Sequence, residues 1–146
     1  GEYELISAAD KALYCQGCFH CWLKTPGECG YKDKLQKIGS KIGQCEEIWL
    51  LSRCCYGAFS PGVKRVLDRS IAASLPFFTY RKGEIHHALR YRNHPKMTVC
   101  FYGDITDFEK KTAQDMAERN CVNYGFQSLH LCFAPDAAGV KEVLGV

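Results

Sequence analysis

The chain lacks any apolar run near the roughly 20 residues that a membrane-spanning helix needs. It lacks a strong charge bias: a net charge of +3 is too small to mark a nucleic-acid partner. It has no internal repeat, no low-complexity tract and no linker, and nothing at its start reads as a signal peptide. Gly1 runs at once into strand-like sequence, as a cut end would. These absences set aside membranes, nucleic acid and repeat arrays. The expectation is one domain spanning 1–146, with hydrophobic and charged fractions of 47% and 24% that suit a globular core.

Cysteine is the residue in excess, at ten. A secreted disulfide scaffold is short, loop-rich and poor in core. This chain instead carries long apolar segments, has Cys54 beside Cys55, and places Cys100 and Cys132 inside predicted strands. Free thiols in a reducing cytoplasm are expected.

The pattern predicts strands over Tyr3–Ser7, Glu47–Ser52 and Met97–Tyr102, and a last one in which Leu129, Leu131 and Phe133 alternate. Trp49, Leu50 and Leu51 in succession point to burial on both faces, as in a parallel sheet. Helices fall between the strands. Asp33 can cap one whose face is Leu35, Ile38 and Ile42, with Gly43 ending it. Ser60 and Pro61 open another through Ala73, with Val63, Val66, Leu67 and Ile71 on one face. Thr106 and Glu109 form a capping box for a third, its face marked by Phe108, Ala113, Met116, Ala117 and Cys121. Asp136 can cap a final short helix. Alternation of strands and helices predicts an α/β fold with a parallel sheet and helices on both faces. Leu75–Lys96, aromatic and then basic, reads as a long irregular loop.

Ligands of open α/β sheets sit outside the carboxyl ends of the strands. Ser52–Phe59 leaves such an end, so Ser52, Arg53, Cys54, Cys55, Tyr56, Gly57, Ala58 and Phe59 are candidate ligand contacts, as are Gly103 and Asp104 after the next strand. Asp104 is assigned no acid–base role.

Two blocks carry a resemblance. The first is C-x-G-C-F-x-C-W-x-K-T-P-G-x-C over residues 15–29; the second is S-x-x-x-Y-G-x-x-S-P-x-V-K-x-x-L-D-R over residues 52–69. Together they resemble the flavodoxin-like NADPH-dependent FMN reductases and iron–sulfur flavoproteins, over most of Tyr3–Phe133. The resemblance implies a three-layer sandwich with a short parallel sheet. It also implies FMN against Ser52–Phe59 and Gly103–Asp104, NAD(P)H as electron donor to an unspecified acceptor, and a homodimer. Two departures stand out. The family's first strand and phosphate loop have no counterpart before Tyr3, which matches the second strand. The family's Ser-Pro-x-Tyr is replaced by Ser52-Arg53-Cys54-Cys55-Tyr56. Tyr56 can still stack on a flavin ring. Arg53, Lys82, Arg90 and Arg92 are the phosphate candidates by residue type.

Cys15, Cys18, Cys21 and Cys29, spaced C-x2-C-x2-C-x7-C, can wrap a [4Fe–4S] cluster. Zinc is an alternative, though its motifs more often come as two separated pairs. A metal-free loop packed under Phe19 and Trp22 is the bland one. Cys54 and Cys55 are either a redox pair beside flavin or small side chains filling a turn. The basic stretch Arg81–His94 either meets nucleotide phosphates or forms a solvated loop, with Phe77, Phe78 and Tyr80 as a dimer arm. Lys64, Asp68 and Arg69 read as a helix-face charge network. The leading expectation is an FMN-dependent NAD(P)H oxidoreductase. The alternatives are an iron–sulfur electron carrier and a cofactor-free binding module.

Overall fold

The computed structural model describes residues 2–146. Its centre is three parallel strands: β1 (Glu47–Cys55), β5 (Lys96–Tyr102) and β6 (Ser128–Ala134), with β5 in the middle. A two-residue strand, β2 (Ala58–Phe59), folds back antiparallel on the end of β1. The sheet is therefore mixed, in the order β2-β1-β5-β6. Its connections are helical: α3 (Pro61–Arg69) with a 3₁₀ turn at Ser70–Ala73 precedes β5, and α4 (Asp107–Asn123) joins β5 to β6. Two helices lie earlier in the chain, α1 (His20–Leu23) and α2 (Ile38–Gln44), and α5 (Val140–Leu144) closes it. None of the described helices is long and apolar enough to cross a membrane.

The period-2 rule for strands sorts the core into two layers. Leu50 of β1 and Met97, Val99 and Phe101 of β5 join Leu35, Ile38 and Ile42, Val63 and Leu67 of α3, and Ala113, Ala117 and Cys121 of α4. The other face holds Cys100, Ala134 and Val140, with Tyr102, Cys132 and Leu144 around them. Among the described residues, α5 supplies Val140 and Leu144 to that face. Trp49 and Leu51, in register with Thr98 and Cys100, consequently stay 43% and 45% exposed, so the expected two-sided burial of this strand does not hold.

The Thr106–Glu109 capping box forms as expected, with each side chain reaching the other's backbone N–H. Ser60 differs: its hydroxyl caps nothing, and its N–H instead donates to Ser52 Oγ. Gly43 does not end its helix but lies inside it, where a Cβ would stand 2.3 Å from the Tyr91 ring. Phe108, expected on the buried face of α4, is in the first turn and points to solvent.

Tyr3–Ser7 joins no sheet, although Ile6 packs on the core and Glu4 pairs with Lys41. Beyond its two pairs with β2, β1 has no strand against its outer edge among the described residues. The stretch Leu75–Lys96 is not an irregular loop. It contains an antiparallel hairpin, β3 (Ser74–Arg81) with β4 (Glu84–Leu89), forming a separate two-stranded sheet.

Candidate functional site

Cys15, Cys18, Cys21 and Cys29 come together. They line one hollow of about 70 Å³, with Phe19, Tyr31, Ile71 and Arg69 completing its wall. Cys15 and Cys18 are exposed, Cys29 is half-buried and Cys21 is buried. Burial pushes the Cys21 thiol up, and the neighbouring Cys29, Cys15 and Cys18 push it further.

The segment is held by local chemistry that its sequence dictates. Phe19 adopts φ of 54°, a left-handed conformation that an aromatic residue rarely takes. Its ring stacks on Trp22 at 4.9 Å, and Trp22 in turn donates its indole N–H to the Ser74 carbonyl at 3.0 Å. The bend aims Cys18 and Cys21 at the same hollow. Thr25 closes the following turn by donating to the Glu28 carbonyl, and the Cys29 N–H donates to Gln36.

Both ends of the segment are clamped by one ion pair. Asp33 and Arg69 meet through two hydrogen bonds of 2.8 Å, and the Arg69 side chain has no exposed surface. Arg69 also donates to the Leu13 carbonyl at 2.7 Å, while Asp33 accepts from the Leu13 N–H at 3.0 Å. The Arg69 bond holds the Asp33 carboxyl down to about 2. The sequence predicts Asp33 as a cap and Arg69 in a helix-face charge network with Lys64 and Asp68. Of that network only the Lys64–Asp68 pair exists. Nothing in a one-letter string says that these two residues, 36 apart, meet.

No three His, Cys, Asp or Glu side chains among the described residues are arranged to hold one metal ion. Four soft thiolate donors on one wall, with the Arg69 guanidinium beside them, are a ligand set that zinc and iron–sulfur clusters both use.

The second candidate region gathers at the carboxyl ends of β1 and β5. Arg53 sits in register with Tyr102, and its Cγ stands 4.0 Å from where a Gly103 side chain would begin. Asp104 is exposed beside it. Tyr56 and Gly57 make a two-residue hairpin turn with φ of 55° and 79°. Tyr56 projects into solvent at 93% exposure. Gly57 is pressed onto α4, where a Cβ would lie 2.7 Å from Thr112 Cβ.

Of the remaining residues, Ser52, Cys54 and Phe59 face inward. Ser52 is buried, donating to the Arg53 carbonyl and accepting from Ser60 N–H. Phe59 is core, its ring 5.0 Å from Phe101. Cys54 packs on the core, and burial raises its thiol pKa. Cys55 pairs with Ala58 in the β1–β2 ladder, and both cysteines are free thiols. The hollow of 70 Å³ and a second one of about 10 Å³ under Tyr91 both lie elsewhere. In the basic stretch Lys82 and Arg92 are exposed, whereas three neighbours are engaged by backbone carbonyls. Arg81 donates to the carbonyls of Val122, Asn123 and His87, Arg90 donates to that of Ala72, and His94 is bonded to that of Gly125.

No family model, no curated protein and no solved structure matches this chain.

Proposed function

We propose that this chain is an electron-transfer protein on a flavodoxin-like α/β scaffold, holding a [4Fe–4S] cluster on Cys15, Cys18, Cys21 and Cys29. The observation that carries this reading is the convergence of all four thiols on one hollow. Such a cluster, when bound, accepts and returns single electrons. The protein's part is to supply four thiolates, keep water off one side with Phe19, Tyr31 and Ile71, and set a cation against the resulting negative charge. Arg69 provides that cation, and its own charge is sustained by Asp33 although burial opposes it. Protein purified without oxygen should be brown, with iron and acid-labile sulfide. Colourless, iron-free protein that stays colourless after reconstitution with ferrous iron and sulfide contradicts the reading.

A second reading, an FMN-dependent NAD(P)H oxidoreductase, is favoured by the meeting of Arg53 with Gly103 at the sheet's carboxyl edge and by the free Tyr56 ring. These residues fit a flavin ring edge. For the phosphate, Arg81 and Arg90 are engaged by backbone carbonyls, which leaves the exposed Arg53, Lys82 and Arg92 as candidate cations. FMN titration followed by flavin fluorescence tests this reading. Quenching that Tyr56→Ala weakens supports it, and unquenched flavin removes it.

A further inference from the structure

Arg69 is the one charged residue that is fully buried among the described residues. Its guanidinium is held by fixed partners. Nη1 donates to the Leu13 carbonyl and to Asp33, and Nη2 donates to Asp33. Nε is buried and has no acceptor. A buried donor left unmade is costly, more so on a charged group, and in a folded protein it calls for a partner.

Two observations place that partner in the thiol hollow. Arg69 forms part of the wall that also carries Cys15, Cys18, Cys21 and Cys29. Cys29 also acts on the guanidinium: burial works against the Arg69 charge, and Asp33 and then Cys29 more than offset it. Arg65, one turn earlier on α3, gives the contrast. Its Nε is orphaned too, and its Nη atoms hold the carbonyls of Ala8, Asp10 and Ala12, but it is not part of the wall. An orphaned Nε faces a ligand only where the hollow adjoins it. Two parallel bonds to Asp33 fix the plane of the Arg69 guanidinium. The direction of its Nε–H is fixed with that plane before anything binds.

We infer that Arg69 is a potential-setting residue, whose Nε–H donates to the Cys29 sulfur once that sulfur is a cluster ligand. The inference rests on the iron–sulfur reading of the four thiols. It adds a directed bond to one ligand, whereas a bare cation would act on all four sulfurs at a distance. Hydrogen bonds to ligand sulfurs are among the factors that set the potential of such a cluster. A donor stabilises the electron-rich reduced state more than the oxidised one, so this bond raises the potential. Asp33 is a positioning residue that acts through Arg69.

Spectroelectrochemical titration of the anaerobically reconstituted full chain tests the inference, with iron and acid-labile sulfide measured on every sample. Arg69→Lys keeps the positive charge and a partner for Asp33, and removes the guanidinium Nε–H. Its midpoint should fall by about 59 mV, an approximately tenfold weakening of one-electron reduction. Arg65→Lys should keep the parent's midpoint. A loaded Arg69→Lys with the parent's midpoint, or an equal fall in Arg65→Lys, overturns the inference and leaves the cluster reading standing. A parent that takes up no iron overturns both. If Arg69→Lys does not load, the parent alone decides. Labelled with ¹⁵N-arginine and reduced, it should show a ¹⁵N coupling to the cluster in pulsed electron paramagnetic resonance, and absence of that coupling overturns the inference.

Discussion

The Asp33–Arg69 pair gives the sharpest quantitative expectation. The Asp33 carboxyl lies at about 2 against an ordinary 3.8, mainly through its bonds to Arg69. One unit corresponds to about 1.4 kcal/mol, so the shift is worth about 2 kcal/mol of stability. The side chain is only 18% exposed, so solvent screening trims that figure little. The carboxyl is depressed in the folded state. Its contribution is therefore complete above about pH 4 and disappears as pH falls from about 4 to 2. Asp33→Asn keeps the shape and one acceptor but leaves a guanidinium with no exposed surface short of its counter-charge. Breaking a buried pair from one side costs about 3–5 kcal/mol, and the retained acceptor puts Asn near the lower end. Urea unfolding followed by tryptophan fluorescence, from pH 7 down to pH 2, measures both terms. At pH 7 the variant should be about 3 kcal/mol less stable, and it should lose less than the parent between pH 4 and pH 2. A variant within 0.5 kcal/mol of the parent at pH 7, smaller than the ordinary effect of a core substitution, would refute the reasoning. So would an unchanged acid limb.

Other consequences can be checked more quickly. Thr106→Ala removes the capping box and should cost about 1 kcal/mol in the same unfolding assay. Gly57→Ala places a Cβ against Thr112 at a positive φ and should destabilise by about 2 kcal/mol, whereas Tyr56→Ala next to it should be neutral within about 0.5 kcal/mol. Brief iodoacetamide labelling of the native, metal-free protein, read by peptide mass spectrometry, should mark Cys15 and Cys18 first. Cys100 should stay unlabelled, because burial first and Cys132 second push its thiol up to about 12.

The parts of the fold that were legible are those fixed by short-range patterns. The strand before Ser52, the run Met97–Tyr102 and the alternation ending at Phe133 all became parallel strands, because short apolar runs and alternations are buried most readily in a sheet. The Thr106-x-x-Glu109 signature formed because its bonds span only three residues. What was not legible depends on distant partners. Tyr3–Ser7 has strand-like composition, but composition supplies no neighbour to pair with. The hairpin escaped because its turn, Lys82-Gly83, is weaker punctuation than Asn-Gly, and Pro76 argues against a strand. The candidate site divides in the same way. The spacing of the four thiols made them candidates, and folding gathers them. The even spread of candidates over Ser52–Phe59 did not survive strand alternation and the tight turn, which send Ser52 and Phe59 inward and leave Arg53 and Tyr56 outside.

The direct test of the cluster assignment is the iron and acid-labile sulfide content per chain after anaerobic reconstitution, measured for the parent and for Cys29→Ser with protein quantified by amino-acid analysis. The account predicts about four irons and four sulfides for the parent and a clear shortfall for the variant. Equal metal content in both, or a parent that takes up no iron, would contradict it.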